Sequence, residues 1–205
     1  TFTLPKGDAG VGDLLITVTA DSANAVAEGN AAGTGEANNA SRLTRTSTLT
    51  PHADLATSNL AIAGPSGLTF AGDLVAVSWT VANSGAGTTG EGTPGNTVAN
   101  WTDRIVLSTD ATFGNADDLL VADVPRSGLL GAGEQYGGTW TGRIPTGTSG
   151  PYYFLVKADH GAGQGAVYEN TDAASNVAQS ASAYPIASAP FADLTSSVTV
   201  SPALG

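Results

Sequence analysis

The sequence predicts an all-β chain folded as an antiparallel two-sheet sandwich, and three observations predict it. Apolar residues alternate with small or polar ones in several short runs, the period of two that marks half-buried strands. Turn signals rich in Gly, Pro, Asn and Asp separate those runs. Nothing between them holds a helical period.

The strands follow in chain order. Leu14, Ile16 and Val18 share one face of the first run, and Val75, Val77, Trp79 and Val81 share one face of Val75-Ala76-Val77-Ser78-Trp79-Thr80-Val81. In the next runs Trp101, Ile105 and Leu107 face inward, then Tyr136, Trp140 and Ile144, then Tyr152, Phe154 and Val156. Turns are expected at Ala63-Gly64-Pro65-Ser66-Gly67, Asn83-Ser84-Gly85, Gly114-Asn115-Ala116-Asp117, Gly131-Ala132-Gly133 and Thr148-Ser149-Gly150-Pro151. Seven or so short strands in one domain point to an immunoglobulin-like architecture, with Trp79 and Trp140 as its core aromatics.

The chain also repeats itself. Thr1-Phe2-Thr3-Leu4-Pro5, Ala20-Asp21, Val26-Ala27-Glu28, Asn38-Asn39 and Ala53-Asp54-Leu55 return in the same order. Their counterparts are Thr141-Gly142-Arg143-Ile144-Pro145, Ala158-Asp159, Val167-Tyr168-Glu169, Ser175-Asn176 and Ala192-Asp193-Leu194. The offset stays near 139 residues, a normal size for one domain with its own core. The expected organisation is 1–52 as the later part of one repeat, 53–190 as a complete repeat, and 191–205 as the first strand of another. Neighbouring polypeptide, in the same chain or another molecule, is expected to complete the partial copies, because a half-sandwich leaves open edges. Prolines at Pro51, Pro185 and Pro190 make the junctions semi-stiff.

Composition narrows the function. The net charge is −11, and the 7 Lys plus Arg are scattered singly, so no basic patch exists to release counterions from nucleic acid or to hold an anionic membrane. No apolar run approaches the length of a bilayer span, so no membrane insertion is expected. Cys is absent and His occurs twice, which argues against zinc and thiol chemistry. His52 and His160 fall opposite Phe191 and Ser22 across the repeat, so neither marks a recurring base, and no carboxylate pair is singled out. The chain is expected not to be an enzyme.

Ala53-Asp54-Leu55, Val75 through Gly85 and Trp101-Thr102-Asp103-Arg104-Ile105-Val106-Leu107-Ser108-Thr109-Asp110 together carry a resemblance. Gly133-Glu134-Gln135-Tyr136, Gly150 through Asp159, and Val167-Tyr168-Glu169-Asn170 extend it. As a set they resemble the bacterial cell-adhesion-related domain (CARDB), a family of tandem immunoglobulin-like modules in very large secreted or surface proteins. The resemblance spans the whole middle copy and implies an extracellular, cell-surface spacer in an adhesin or filament. Two departures stand out: a long 84–100 loop, and Ala173-Ala174-Ser175-Asn176 where the first copy reads Glu36-Ala37-Asn38-Asn39.

Two oxygen-rich groups are candidate sites for Ca²⁺, a hard cation that takes roughly 6 to 8 oxygen ligands. One gathers Asp110, Asn115, Asp117 and Asp118, followed by Asp123. Its spacing matches no EF-hand, and an Asp/Asn turn accepting its own backbone N–H groups explains it equally. The other combines Asp159, Glu169, Asp172 and Asn176, mirrored by Asp21, Glu28, Glu36 and Asn39; acids that keep an array soluble and self-repelling are the alternative. The 84–100 loop, with Glu91 and Pro94, is the candidate surface for a glycan or host protein, against a disordered Gly/Thr insertion. The expected function is a structural spacer, which Ca²⁺, if bound, would rigidify. The alternatives are a recognition module using the 84–100 loop and a subunit of a self-assembling fibre joined by added strands.

Overall fold

The computed structural model describes residues 2–161, 165–170, 175–188 and 192–199. Ten strands follow in order: β1 Gly12–Thr19, β2 Ala40–Ser47, β3 Leu55–Ala63, β4 Leu74–Asn83, β5 Asn100–Ser108, β6 Leu119–Ser127, β7 Gln135–Arg143, β8 Gly150–Lys157, β9 Val177–Gln179 and β10 Tyr184–Ile186. Every pairing between strands is antiparallel. The described residues hold no α-helix, only 3₁₀ turns at Gly7–Gly10 and Gly35–Asn38.

β3 to β10 make the sandwich. One sheet runs β3-β4-β7; the other runs β6-β5-β8, with β9 and β10 both on the outer edge of β8. The expected inward residues do pack between them: Val75, Val77, Trp79 and Val81 from β4, Trp101, Ile105 and Leu107 from β5, and Phe154 and Val156 from β8 are all buried. Ile144, just past β7, is buried too, and Tyr136, Trp140 and Tyr152 pack against the cluster half-buried. On β7, Gly138 lies opposite Trp79, and a β-carbon there would meet the indole at 2.1 Å. The glycine is the space into which Trp79 fits.

The edge strands are irregular. β3 carries a bulge between Ser58 and Ala61, where Asn59 adopts a left-handed φ of 53°, a conformation asparagine tolerates better than most residues. The last edge splits in two at Ser180: its N–H still donates to the Phe154 carbonyl at 2.9 Å, but the returning Phe154 N–H goes to its Oγ at 3.2 Å, and that hydroxyl donates to the Ser182 carbonyl at 2.9 Å.

Among the described residues β1 and β2 pair only with each other. Laid on the second copy by the sequence offset, this hairpin has the pairing of β8 with β9. Thr19↔Ala40 matches Lys157↔Val177, Val18↔Ser41 matches Val156↔Ala178, and Thr17↔Arg42 matches Leu155↔Gln179. Burial differs: Val18 is 67% exposed and its counterpart Val156 0%. The second sheet that covers β8 has no counterpart over β1 among the described residues. Residues 192–199, expected as a strand, carry no strand pairing, with Leu194 93% exposed. The boundary expected at 190 lies outside the described residues.

Candidate functional site

The first acidic candidate is the connection from β5 to β6. Asp117 accepts the Ser108 Oγ–H at 3.0 Å, the Thr109 N–H at 2.8 Å and the Thr109 Oγ1–H at 2.5 Å, all on one oxygen. These donors, those of Thr109 foremost, hold its carboxyl down to about 2. Asp110 accepts the Thr112 N–H and the Asn115 side-chain amide, and Asp118 accepts the Gly114 N–H. Each carboxylate of this loop therefore accepts from within the connection, Asp110 as an Asx turn to the N–H two residues on, Asp117 and Asp118 from donors earlier in the loop. Asp118 keeps one oxygen without a partner among the described residues. Asp123 stands apart on β6, opposite Arg104 of β5, and takes its guanidinium through two bonds of 2.7 Å. That bond pattern pulls Asp123 below its ordinary value and holds Arg104 above its own. The structure thus brings Asp110, Asn115, Asp117 and Asp118 into one loop and leaves Asp123 in a cross-strand ion pair.

The second candidate lies where β8 ends. Asp159 adopts a left-handed φ of 49°, and its two oxygens accept the N–H groups of Ala166 and Val167 at 2.9 and 2.8 Å. Asp21 repeats the motif: φ is 44°, and its oxygens accept from Ala25 and Val26 at 2.8 and 2.7 Å. Just before each aspartate the chain closes alike, Ala20 N–H to the Asn39 carbonyl and Ala158 N–H to the Asn176 carbonyl.

The glutamates differ. Glu169 is buried; it accepts the Asn176 side-chain amide at 2.5 Å and the Leu55 N–H at the start of β3. It ties the beginning of the domain to its end. In the first copy the Asn39 amide goes instead to Glu36, whose other oxygen takes the Glu28 N–H. Ala173 stands where Glu36 does in the first copy, so Glu169 takes the asparagine. Asp172 and Ala173 lie outside the described residues. Among the described residues no group of three acids, histidines or cysteines is arranged to hold a metal ion.

One polar centre escaped the sequence reading. Asp103 on β5 is 1% exposed and accepts the Trp79 Nε1–H at 2.9 Å, the Tyr136 hydroxyl at 2.8 Å and the Asp159 N–H at 3.3 Å. Tyr136 also receives the Trp101 Nε1–H at 3.1 Å, and the Arg126 guanidinium lies 4.5 Å over its ring. Burial raises Asp103 above its ordinary value, Asp159 to about 6 and Glu169 to about 7. Burial, with the neighbouring Asp103 charge, raises Tyr136 as well. The signal was present: strict alternation places residue 103 inward with Trp101 and Ile105, and an acid on an inward face must find donors.

The 84–100 loop is folded. The Asn83 amide donates to the carbonyls of Gly87, Leu130 and Gly131, and Thr89 and Val98 bond each other. Gly87 presses on the junction, where a β-carbon would meet the Pro51 carbonyl oxygen at 2.4 Å. With Leu4, Pro51, His52 and Tyr168 the loop encloses a cleft of about 590 Å³. Lys6 donates to the Glu91 carbonyl at 2.6 Å across it. His52 packs edge-on to Tyr168 and His160 edge-on to Phe113, each in an aromatic contact, and burial lowers His160.

No family model and no curated protein matches the chain. Similar solved structures include the CARDB domain of PF1109 from Pyrococcus furiosus in solution, at 19% identity and a TM-score of 0.42, covering 67% of this chain and 98% of that one. The crystal structure of that domain in complex with di-metal ions gives 18% and 0.39, covering 69% and 97%. β-Glucosidase 3B from Thermotoga neapolitana, in complex with α-D-glucose, gives 12% and 0.39, covering 66% of this chain and 16% of that one. The two Pyrococcus structures carry the family name that the sequence resemblance suggests. At these identities and TM-scores the likenesses carry no argument about function, and the two-sheet architecture stands on the chain's own pairings.

Proposed function

We propose that this chain is a structural module, a β-sandwich spacer in a tandem array belonging to a large extracellular bacterial adhesin or surface filament. The observation that carries the reading is the duplicated hairpin, with the same register, the same left-handed aspartate and the same closing bond in both copies. A unit repeated with its internal hydrogen bonds intact serves extension and orientation. The reading assigns no catalytic role. Its acids serve the fold: Asp117 and Asp159 close turns, Asp123 pairs across strands and Glu169 ties two strand ends.

Residues 53–190, expressed alone, should be monomeric and unfold in one cooperative transition; aggregation or a broad, non-cooperative melt would sink the spacer reading. The same protein tests the cofactor that the reading can include. A clear rise in Tm with excess Ca²⁺ over chelator, absent from Asp117→Asn/Asp118→Asn, makes the 110–118 loop a calcium site. No rise leaves a plain spacer.

The cleft beside the 84–100 loop favours a second reading, recognition of a surface glycan or host protein. Replacing 88–97 by a short turn would then abolish retention on a glycan or host-matrix surface at nearly unchanged Tm. Equal retention by both forms rejects it.

A further inference from the structure

We propose that the side of β1 away from β2 takes the β5-bearing earlier part of a repeat, which adds a strand in one defined register. The inference rests on the tandem-repeat reading and names the partner and the pairing.

The same structure shows the occupied form of this edge. β8 carries β9 and β10 on one side and β5 on the other, paired Val106↔Leu155, Leu107↔Phe154 and Ser108↔Tyr153. β1 has the matching register with β2 and, among the described residues, no strand on its other side. The Ala20 N–H turns toward β2 by bonding the Asn39 carbonyl. Backbone groups alternate sides along a strand, so those of Leu15, Thr17, Thr19 and Asp21 point to the open side. Their counterparts Tyr153, Leu155, Lys157 and Asp159 point to β5. The Asp159 N–H reaches Asp103 of β5, and the next N–H, of His160, bonds the Thr102 carbonyl at 2.7 Å. The corresponding N–H groups of Asp21 and Ser22 have no partner among the described residues.

The apolar face tells the same story. Phe154 and Val156 are 0% exposed in the core between the sheets, and their counterparts Ile16 and Val18 are half-buried and 67% exposed. Leu43, paired to Ile16 on β2, is 47% exposed. An edge with unmet backbone groups beside an apolar face is what strand addition uses. The fitting partner is chemically specific: an alternating strand with apolar residues at the Ile105 and Leu107 positions and a buried carboxylate at the Asp103 position, brought with the sheet that covers it. Offset by the repeat, Thr17 pairs with the partner's Val106 position and Ile16 with its Leu107 position.

The test compares the 205-residue chain with a fusion that places an extra copy of residues 53–140 directly before Thr1, and reads backbone hydrogen exchange residue by residue. The amides of Leu15, Thr17, Thr19 and Asp21 should slow about 100-fold or more in the fusion. Unchanged rates while the added β4 amides are protected would overturn the pairing. A second variant decides the case where the added copy is itself unprotected. With Thr17→Cys and Val106→Cys in the added copy, in a protein otherwise free of cysteine, oxidation gives a disulfide only in the proposed register, and its absence rejects the proposal. Failure of residues 53–190 to fold alone would instead strike the spacer reading, so the two failures are told apart.

Discussion

Asp103 is the residue on which the sandwich turns. It satisfies two buried donors from the opposite sheet, the Trp79 indole and the Tyr136 hydroxyl, where a hydrophobic side chain would strand both. Each stranded donor costs about 1–3 kcal/mol, so Asp103→Ala should lower stability by about 3 kcal/mol, read as a fall in urea midpoint. Asp103→Asn, which keeps one acceptor, should lose less. The buried acids also set the pH response. Glu169 is raised from 4.5 to about 7 and Asp159 from 3.8 to about 6, so the folded chain binds these protons more tightly than the unfolded one. Stability should therefore rise as pH falls through about 7 and about 6, reach its full gain near the ordinary carboxylate range, and be lost again as pH rises. Asp117 acts with the opposite sign: its contribution is present above 3.8 and lost as pH falls toward about 2. Urea midpoints between pH 8 and pH 3 check both, and Glu169→Gln should flatten the slope above pH 5.

At the scale of elements, the fit of β4 against β7 depends on a missing side chain. A β-carbon at Gly138 meets the Trp79 ring at 2.1 Å, and β4, held between β3 and β7, cannot move aside freely. Gly138→Ala should cost about 2 kcal/mol through overpacking, with a shift in Trp fluorescence, whereas Gly133→Ala, where open space surrounds the position but φ is 76°, should act through backbone strain alone. The strands themselves were legible in the residues: Val75, Val77, Trp79 and Val81 sit inward because the side-chain period of a strand is two. β6 was not read. Its Leu119 and Leu120 are adjacent and 39% and 55% exposed, so the period is blurred, and the bulge between Ile105 and Val106 shifts its register with β5. The calcium candidates were legible as acids only. Which donors claim Asp110, Asp117 and Asp118 depends on the loop's backbone path, and composition does not contain that path.

For the whole molecule, the residues alone give the strand period, the turns, the expectation of a repeat and the scarcity of basic residues. These are local or compositional properties, readable wherever a segment lies in space. The tertiary structure decided which distant groups meet. Leu55 and Glu169 stand 114 residues apart, and only the stacking of β3 beside β9 brings one's N–H to the other's carboxylate. Likewise Asp123 became the partner of Arg104 rather than a member of the acidic loop because the pairing of β5 with β6 sets the two residues opposite each other. It also separated two copies that look alike in sequence: Val156 is covered and Val18 is not, since burial belongs to the neighbours a strand acquires and not to the strand. Periodicity fixes which face of a strand is apolar; strand order and register, set by contacts between remote segments, fix what that face and each buried acid will touch.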